Sequence, residues 1–306
     1  MRSKLLVFVS VLILASMVLS ACQPTAATPE TIVQTVVVEG EVKEVVVTAT
    51  PAAETTEPEQ PVLRVNLGTW PDIIDPQKAS FVNEIAHLKL MYEGLTKLDG
   101  QLNTVPGAAE KWEYNEDATE LTFTLRQGLK YSDGSILNAK RFEYAIKRNI
   151  DPATAGEYAS ITDEIDGAVE WRTGNDEKDE KKKAEIQKAG KAKVDKAVVA
   201  LDASGQPCKD YKQEDCLTLK IKLGNPAPYF HTIMGIWVAY PAKEENIKVG
   251  ENWWNSSKYQ IGNGPYILTT LEPYVRARFV PNKNYWAGVA KTDIEYAYIT
   301  DTAVAF

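Results

Sequence analysis

Apolar and polar positions alternate, or recur at helical spacing, along most of this chain. Val62–Leu67 reads VLRVNL and Glu120–Arg126 reads ELTFTLR; both have period two, the mark of a half-buried strand. Leu217–Leu223 repeats that pattern, and Ala197–Leu201, Pro265–Leu268, Arg276–Val280 and Thr292–Thr300 are further strand-like runs. The period changes in Phe81–Leu95, where Ile85, Leu88, Met91, Tyr92 and Leu95 fall on one helical face. A second helix is predicted over Ala139–Asn149, capped by Asn138 and stopped by Asp151-Pro152. Asn175–Lys196 is a run of charges, read as a solvated helix or surface insertion rather than a partner surface. Short strands and helices without a steady βαβ rhythm make the class α+β.

The pattern is different before residue 62. Arg2 and Lys4 precede an apolar run from Leu5 to Leu19, too short to span a bilayer, followed by Leu19-Ser20-Ala21-Cys22. A basic start, an apolar stretch and small residues before a cut make a secretory signal over residues 1–21. The cysteine after Leu-Ser-Ala resembles a bacterial lipobox, which implies a diacylated Cys22 at the mature N-terminus. Acyl chains at roughly 0.8 kcal/mol per buried CH₂ give a stable anchor without a membrane-spanning helix. Residues 22–61 contain no aromatic side chain and are dominated by Thr, Pro, Ala, Glu and Val. They read as a disordered tether, with the valine runs at 36–38 and 45–47 leaving room for a marginal two-stranded ribbon.

Composition narrows the function. The chain has 306 residues, with 34 Lys and Arg against 42 Asp and Glu, a net charge of −8 that excludes the basic field of a nucleic-acid binder. Only two histidines, His87 and His231, occur, far apart, which speaks against a His-based metal site or triad. Gly262-Asn263-Gly264-Pro265 has the wrong spacing for a phosphate loop, and no nucleophile elbow, HExxH or CxxC is present. Asp163 and Glu164 read as plain surface. The chain offers no active site, so we expect no enzyme and no cofactor. In an exported protein Cys208 and Cys216, eight apart between two strand-like runs, favour a disulfide over a metal pair or two free thiols.

Seven motifs, in order, carry a resemblance. They are Ile74-Asp75-Pro76, then Met91-Tyr92-Glu93-Gly94-Leu95 (similar to "LYEGL"), and Pro106–Trp112 (similar to "PGLAESW"). Thr122–Arg126 with Tyr131–Gly134 is similar to "YTFHLR…WSDG", and Phe142–Pro152 to "FVYSFKRALDP". Asn263–Tyr266 is similar to "GTGPY", and Pro281–Trp286 to "RNPDYW". Together they resemble the family 5 extracellular solute-binding proteins, the oligopeptide- and dipeptide-binding lipoproteins of ABC importers. Gly94, Gly107, Gly134 and Gly264 sit where tight backbone is needed, and Trp112 and Trp286 are expected to close cores.

The resemblance implies a periplasmic-binding-protein-like clamp of two lobes, type II, with an extra subdomain. On that plan residues 62–92 begin lobe I, 93–240 form the subdomain and 241–306 return to lobe I, truncated before an absent lobe II. It also implies capture of a peptide as an added strand, and delivery to the permease subunits of an ABC transporter, at the outer face of the cytoplasmic membrane or in the periplasm. Ser80, Phe81 and Val82 fall where the family contacts the ligand backbone, and Tyr158 matches a cleft tyrosine. Ser80 and Phe81 stand where peptide binders often carry an acid and a glycine. Trp70 beside this loop would suit an oligosaccharide ring in place of a peptide. The same clamp could instead take a nickel chelate, or the chain could be a surface lipoprotein that binds no ligand.

Overall fold

A computed structural model describes residues 31–38, 41–48, 61–301, 303 and 304, the first two stretches by their backbone pairing alone. Two units result, Met1–Glu59 and Gln60–Phe306. In the first, β1 (Thr31–Val38) and β2 (Glu41–Thr48) pair antiparallel, with Thr31 opposite Thr48 and Val38 opposite Glu41. This is the two-stranded ribbon that the valine runs left open as the alternative to a disordered tether. Val, Ile and Thr fill most of both segments, and β-branched residues favour the pleated backbone. The signal segment and Cys22 lie outside the described residues.

The second unit opens with β3 (Val62–Asn66), then α1 (Val82–Met91). A small hairpin of β4 (Thr96–Leu98) and β5 (Thr104–Pro106) follows. Next come β6 (Ala109–Tyr114), β7 (Glu120–Leu125) and α2 (Ala139–Ile150). Then come α3 (Ala168–Thr173), α4 (Glu180–Ala197), β8 (Val198–Leu201) and β9 (Thr218–Lys222). The chain closes on β10 (Tyr266–Glu272), β11 (Arg276–Pro281) and β12 (Asp293–Ala297).

Two four-stranded sheets organise the unit. One has the order β10-β11-β12-β3, antiparallel except for the parallel pair β12 and β3. Its core gathers Leu88, Met91 and Tyr92 of the α1 face with Phe279, Tyr240, Trp253 and Tyr296. The other sheet, β6-β7-β9-β8, is antiparallel throughout and packs Leu121, Phe123 and Leu125 against Phe142 and Ile146 of α2. Each such burial stabilises by roughly 1.5–3 kcal/mol.

Three predicted details change. α1 ends at Met91 rather than Leu95, because the chain must straighten to press Gly94 against Met234 and Gly235, where a Cβ would lie 2.5 Å from the Met234 carbonyl oxygen. Asn138 sits at the N-cap of α2 but does not cap it. Its amide instead donates to the carbonyls of Asp210 and Gln213, both 3.1 Å away inside the loop closed by the Cys208–Cys216 disulfide. Trp112 and Trp286 pack half-buried at the margin of the second core. The charge run becomes α4, capped by the Asp179 carboxylate, which accepts from the N–H of Lys181 and Lys182. α4 buries only Gly190, Val194 and Ala197, and Gly190 lets the backbone of α3 approach.

Candidate functional site

The parallel pair defines one end of the first sheet. Asn66 lies opposite Ala297, and Ala297 opposite Arg276, so the exits of β3 and β12 and the β10–β11 turn share that end. Loops at the carboxyl ends of parallel strands are where open α/β sheets build their ligand crevices. Asn66 ties two of these loops together: its amide donates to the Ile299 carbonyl and its oxygen accepts from the Ile299 N–H, both at 2.9 Å.

The loop after β3 is fixed from behind by two buried carboxylates. Asp75 is 1% exposed and takes a bidentate bond from Arg148, both contacts at 2.6 Å, plus the Trp253 indole N–H at 3.0 Å. Arg148 also donates to the Gln77 oxygen, while the Gln77 amide donates to the carbonyls of Val238 and Tyr240. Glu84, in the first turn of α1, accepts from the N–H of Ile73 (3.2 Å), Ser80 (2.7 Å) and Phe81 (3.0 Å). A carboxylate there also suits the positive end of the helix dipole. The main-chain donors of Ser80 and Phe81 are therefore occupied. What the strip presents outward is side chain: Phe81 is 59% exposed and Val82 84%.

Aromatic residues flank the strip on both sides. On one side the Trp237 indole N–H donates to the Ala79 carbonyl at 2.8 Å, and the Tyr158 ring meets Trp237 edge-on at 5.1 Å. The loop carrying Tyr158 can come this close only because residue 156 is glycine; a Cβ there would lie 2.0 Å from the Gln77 carbonyl oxygen. On the other side the Asn83 amide donates to the Trp70 carbonyl, and the Trp70 ring packs between Tyr298 (4.8 Å) and Tyr274 (5.5 Å). Tyr274 is 75% exposed with φ +61°, an expensive backbone for a bulky residue.

Beneath Trp70, His87 is buried. Burial lowers its pKa to about 4, against a weaker opposing effect of the Asn83 carbonyl. It is neutral at pH 7, with Nδ1–H donating to the Asn83 carbonyl and Nε2 accepting from the Tyr298 hydroxyl, each at 2.6 Å. The second histidine, His231, is bonded to Tyr114. Both rings are thus engaged in the fold, and among the described residues no three His, Cys, Asp or Glu side chains are placed to hold a metal.

The structure therefore connects Tyr158 and Trp70 to the Ser80–Val82 strip through intermediaries, Trp237 bonded to Ala79 on one side and Asn83 on the other. Trp237, Tyr274, Asn83 and Glu84 complete the arrangement and were not singled out from the sequence, where His87 entered only in the argument against a metal site or triad. An aromatic residue in the polar setting of a β-turn is a signal that could have marked Tyr274. Nothing in the spacing of Trp237 marks it.

The family description "Bacterial extracellular solute-binding proteins, family 5 Middle" matches residues 103–306. The chain belongs to this family. Among curated relatives, the periplasmic oligopeptide-binding protein OppA of Escherichia coli K12 is 32% identical over 245 residues, covering 80% of this chain and 40% of the relative. The periplasmic murein peptide-binding protein MppA of the same organism is 29% identical over 226 residues, covering 74% and 36%. The probable deoxycholate-binding periplasmic protein YgiS, also of E. coli K12, is 30% identical over 259 residues, covering 84% and 43%. The solved unliganded open form of MppA superposes with a TM-score of 0.66 at 27% identity, over 81% of this chain and 43% of that one. Haemophilus influenzae OppA in complex with RPPGFSPFR gives 0.64 at 26%, over 80% and 43%. The fold is thus the α+β fold of periplasmic peptide-binding proteins, and this family 5 chain spans less than half the length of these relatives. The family is one of binding proteins rather than enzymes.

Proposed function

We propose that this chain serves an extracytoplasmic receptor that captures peptides and delivers them to the permease of an ABC importer. The observation that carries the reading is the Ser80–Val82 strip, clamped by Glu84 and flanked by Tyr158–Trp237 and Trp70–Tyr274. With the Ser80 and Phe81 N–H groups taken by Glu84, an extended peptide laid along such a strip would be held by side-chain contact with Phe81, Val82 and the flanking aromatic faces. Three relatives named as oligopeptide- or murein peptide-binding support it. On this reading the core around β10-β11-β12-β3 is lobe I, and the core around β6-β7-β9-β8 is its extra subdomain. A lipid on Cys22 tethers both to the membrane surface in the cell envelope.

The test is calorimetric titration of the full chain with tri- to pentapeptides. Saturable binding, weakened about tenfold or more by Tyr158→Ala at unchanged melting temperature, is expected. Absence of saturable binding for every peptide length would remove the reading. Anchoring is tested separately by metabolic labelling with a palmitate analogue in a bacterial host: label is expected on the wild type and none on Cys22→Ser.

A second reading, a steroid-like apolar ligand, has one observation in its favour: Phe81 and Val82 make the strip more apolar than peptide backbone recognition requires. The relative named as deoxycholate-binding is in keeping with it. Deoxycholate binding that excludes peptide would decide for this reading.

A further inference from the structure

A cavity of about 460 Å³ opens beside the C-terminal end of α1 and shares no lining residue with the strip. Tyr92, Tyr240, Ile236, Leu98, Pro265 and Tyr285 give it a largely apolar, aromatic wall. Its volume lies within the range of small-molecule sites.

Its polar groups are unevenly committed. The Glu93 carboxylate is fully engaged by Lys97, the Tyr285 hydroxyl and the Trp286 indole N–H. Glu93 and Lys97 also neutralise each other. Among the lining groups without a partner, which include the half-buried Thr104 hydroxyl, two bear on a ligand. Tyr240 is 4% exposed, yet its hydroxyl has no hydrogen-bond partner among the described residues. It is also not one of the sealed polar atoms, which are Asn138 Oδ1, Arg141 Nε and Asn149 Oδ1, so it faces accessible space. Burial, reinforced by the nearby Glu93 charge, raises its pKa and keeps it protonated, able to donate. Lys89, at the rim, makes no ion pair or hydrogen bond among the described residues and supplies one uncompensated positive charge. A hydroxyl that is unpaired within the protein and open to the cavity is free to donate to whatever occupies it.

We propose that this cavity is a second ligand site, for a small amphipathic anion with one acidic group on a flat apolar body. The acid would accept from the Tyr240 hydroxyl and pair with Lys89, while the aromatic wall covers the apolar body. The inference does not depend on peptide capture.

The probe is 4-phenylbutyrate, titrated into the full chain at low ionic strength by calorimetry and by saturation-transfer NMR. One-to-one binding is expected, weakened about tenfold by Tyr240→Phe, which removes a donor to a charged acceptor. Lys89→Gln should weaken it about threefold, as for a solvent-exposed charge. Ile236→Trp should fill the cavity and abolish it, while Tyr158→Ala leaves the probe bound. If Ile236→Trp does not fold, the double variant Tyr240→Phe/Lys89→Gln carries the test, with a combined loss of about thirtyfold. No saturable binding by the wild type, binding that survives a folded Ile236→Trp, or binding lost in Tyr158→Ala would each overturn the proposal. The last outcome would assign the probe to the Ser80–Val82 face and leave peptide capture standing.

Discussion

Around the second sheet, β7 turns Leu121, Phe123 and Leu125 inward, while β7 and β9 carry outward ion pairs, Glu120 with Lys220 between the strands and Lys222 with Asp166 of a neighbouring loop. At the end of the first sheet the arrangement is reversed. There the carboxylates of Asp75 and Glu84 are buried and the Arg148 guanidinium nearly so, while Phe81, Val82 and Tyr274 stand out in water. Exposed ion pairs on the second sheet contribute little to stability, and the core beneath them carries the load. The buried charges of the first sheet are expensive to desolvate and are retained only with every lone pair satisfied. Hydrophobic burial accounts for the second sheet without a ligand. On the proposed function, the inverted end of the first sheet is the surface that meets the ligand.

The comparison can be broken most forcefully at Asp75. Asp75→Ala would leave the buried Arg148 guanidinium unpaired, and a loss of about 3–5 kcal/mol is expected by urea unfolding. Because Asp75 also holds Gln77 and Trp253 in place, peptide binding should fall with it. Comparable stability of variant and wild type would show that the network is not what holds the loop.

Next in size is a pH effect. His87 has a folded pKa of about 4, below the 6.5 of the unfolded chain, so the unfolded state takes up a proton first. Stability from its burial is complete above pH 6.5 and is lost as pH falls toward 4, by about 3 kcal/mol at most. Replacing the imidazole, as in His87→Gln, should flatten that slope of stability against pH. An unchanged slope would place the titration elsewhere.

Tyr274→Gly should act in the opposite direction. It relieves a left-handed φ at an exposed turn and should raise stability by about 1 kcal/mol, while removing one face of the Trp70 platform and weakening ligand. A destabilised variant would mean that the Tyr274 ring contributes more through packing than its backbone costs. The smallest effect on stability, under about 0.5 kcal/mol, is expected for Phe81→Ser, since the side chain is exposed. Binding should nonetheless drop severalfold, so a Phe81→Ser chain that binds normally would remove the strip from the site.

Strand periodicity in β7 and β9 was readable because each has one buried face, and a period of two needs no tertiary information; β3 is a strand as well, but Val62 and Val65 are only half-buried and Leu63 is exposed. The helical face ending in Tyr92 and Leu95 was also visible, but the end of α1 was not. Leu95 is buried as its spacing suggests, though on the extended chain past Gly94, and that geometry is imposed by Gly235, about 140 positions away. Asn138 had the right type and position for a cap, and long-range carbonyls in the disulfide loop outcompeted the local N–H groups. At the candidate site, Ser80–Val82, Tyr158 and Trp70 were reached through motif order. Trp237 and Glu84 were not, because their roles are hydrogen bonds to main-chain atoms, and main chain leaves no trace in residue identity.

Glu84 binds the strip by the N–H groups of residues 80 and 81, which every amino acid except proline possesses. The backbone there is consequently indifferent to which side chains it displays. A lineage could exchange Ser80 or Phe81 for residues of other size or charge without disturbing the scaffold. On the proposed function, ligand preference could therefore change one substitution at a time without loosening the frame that positions it.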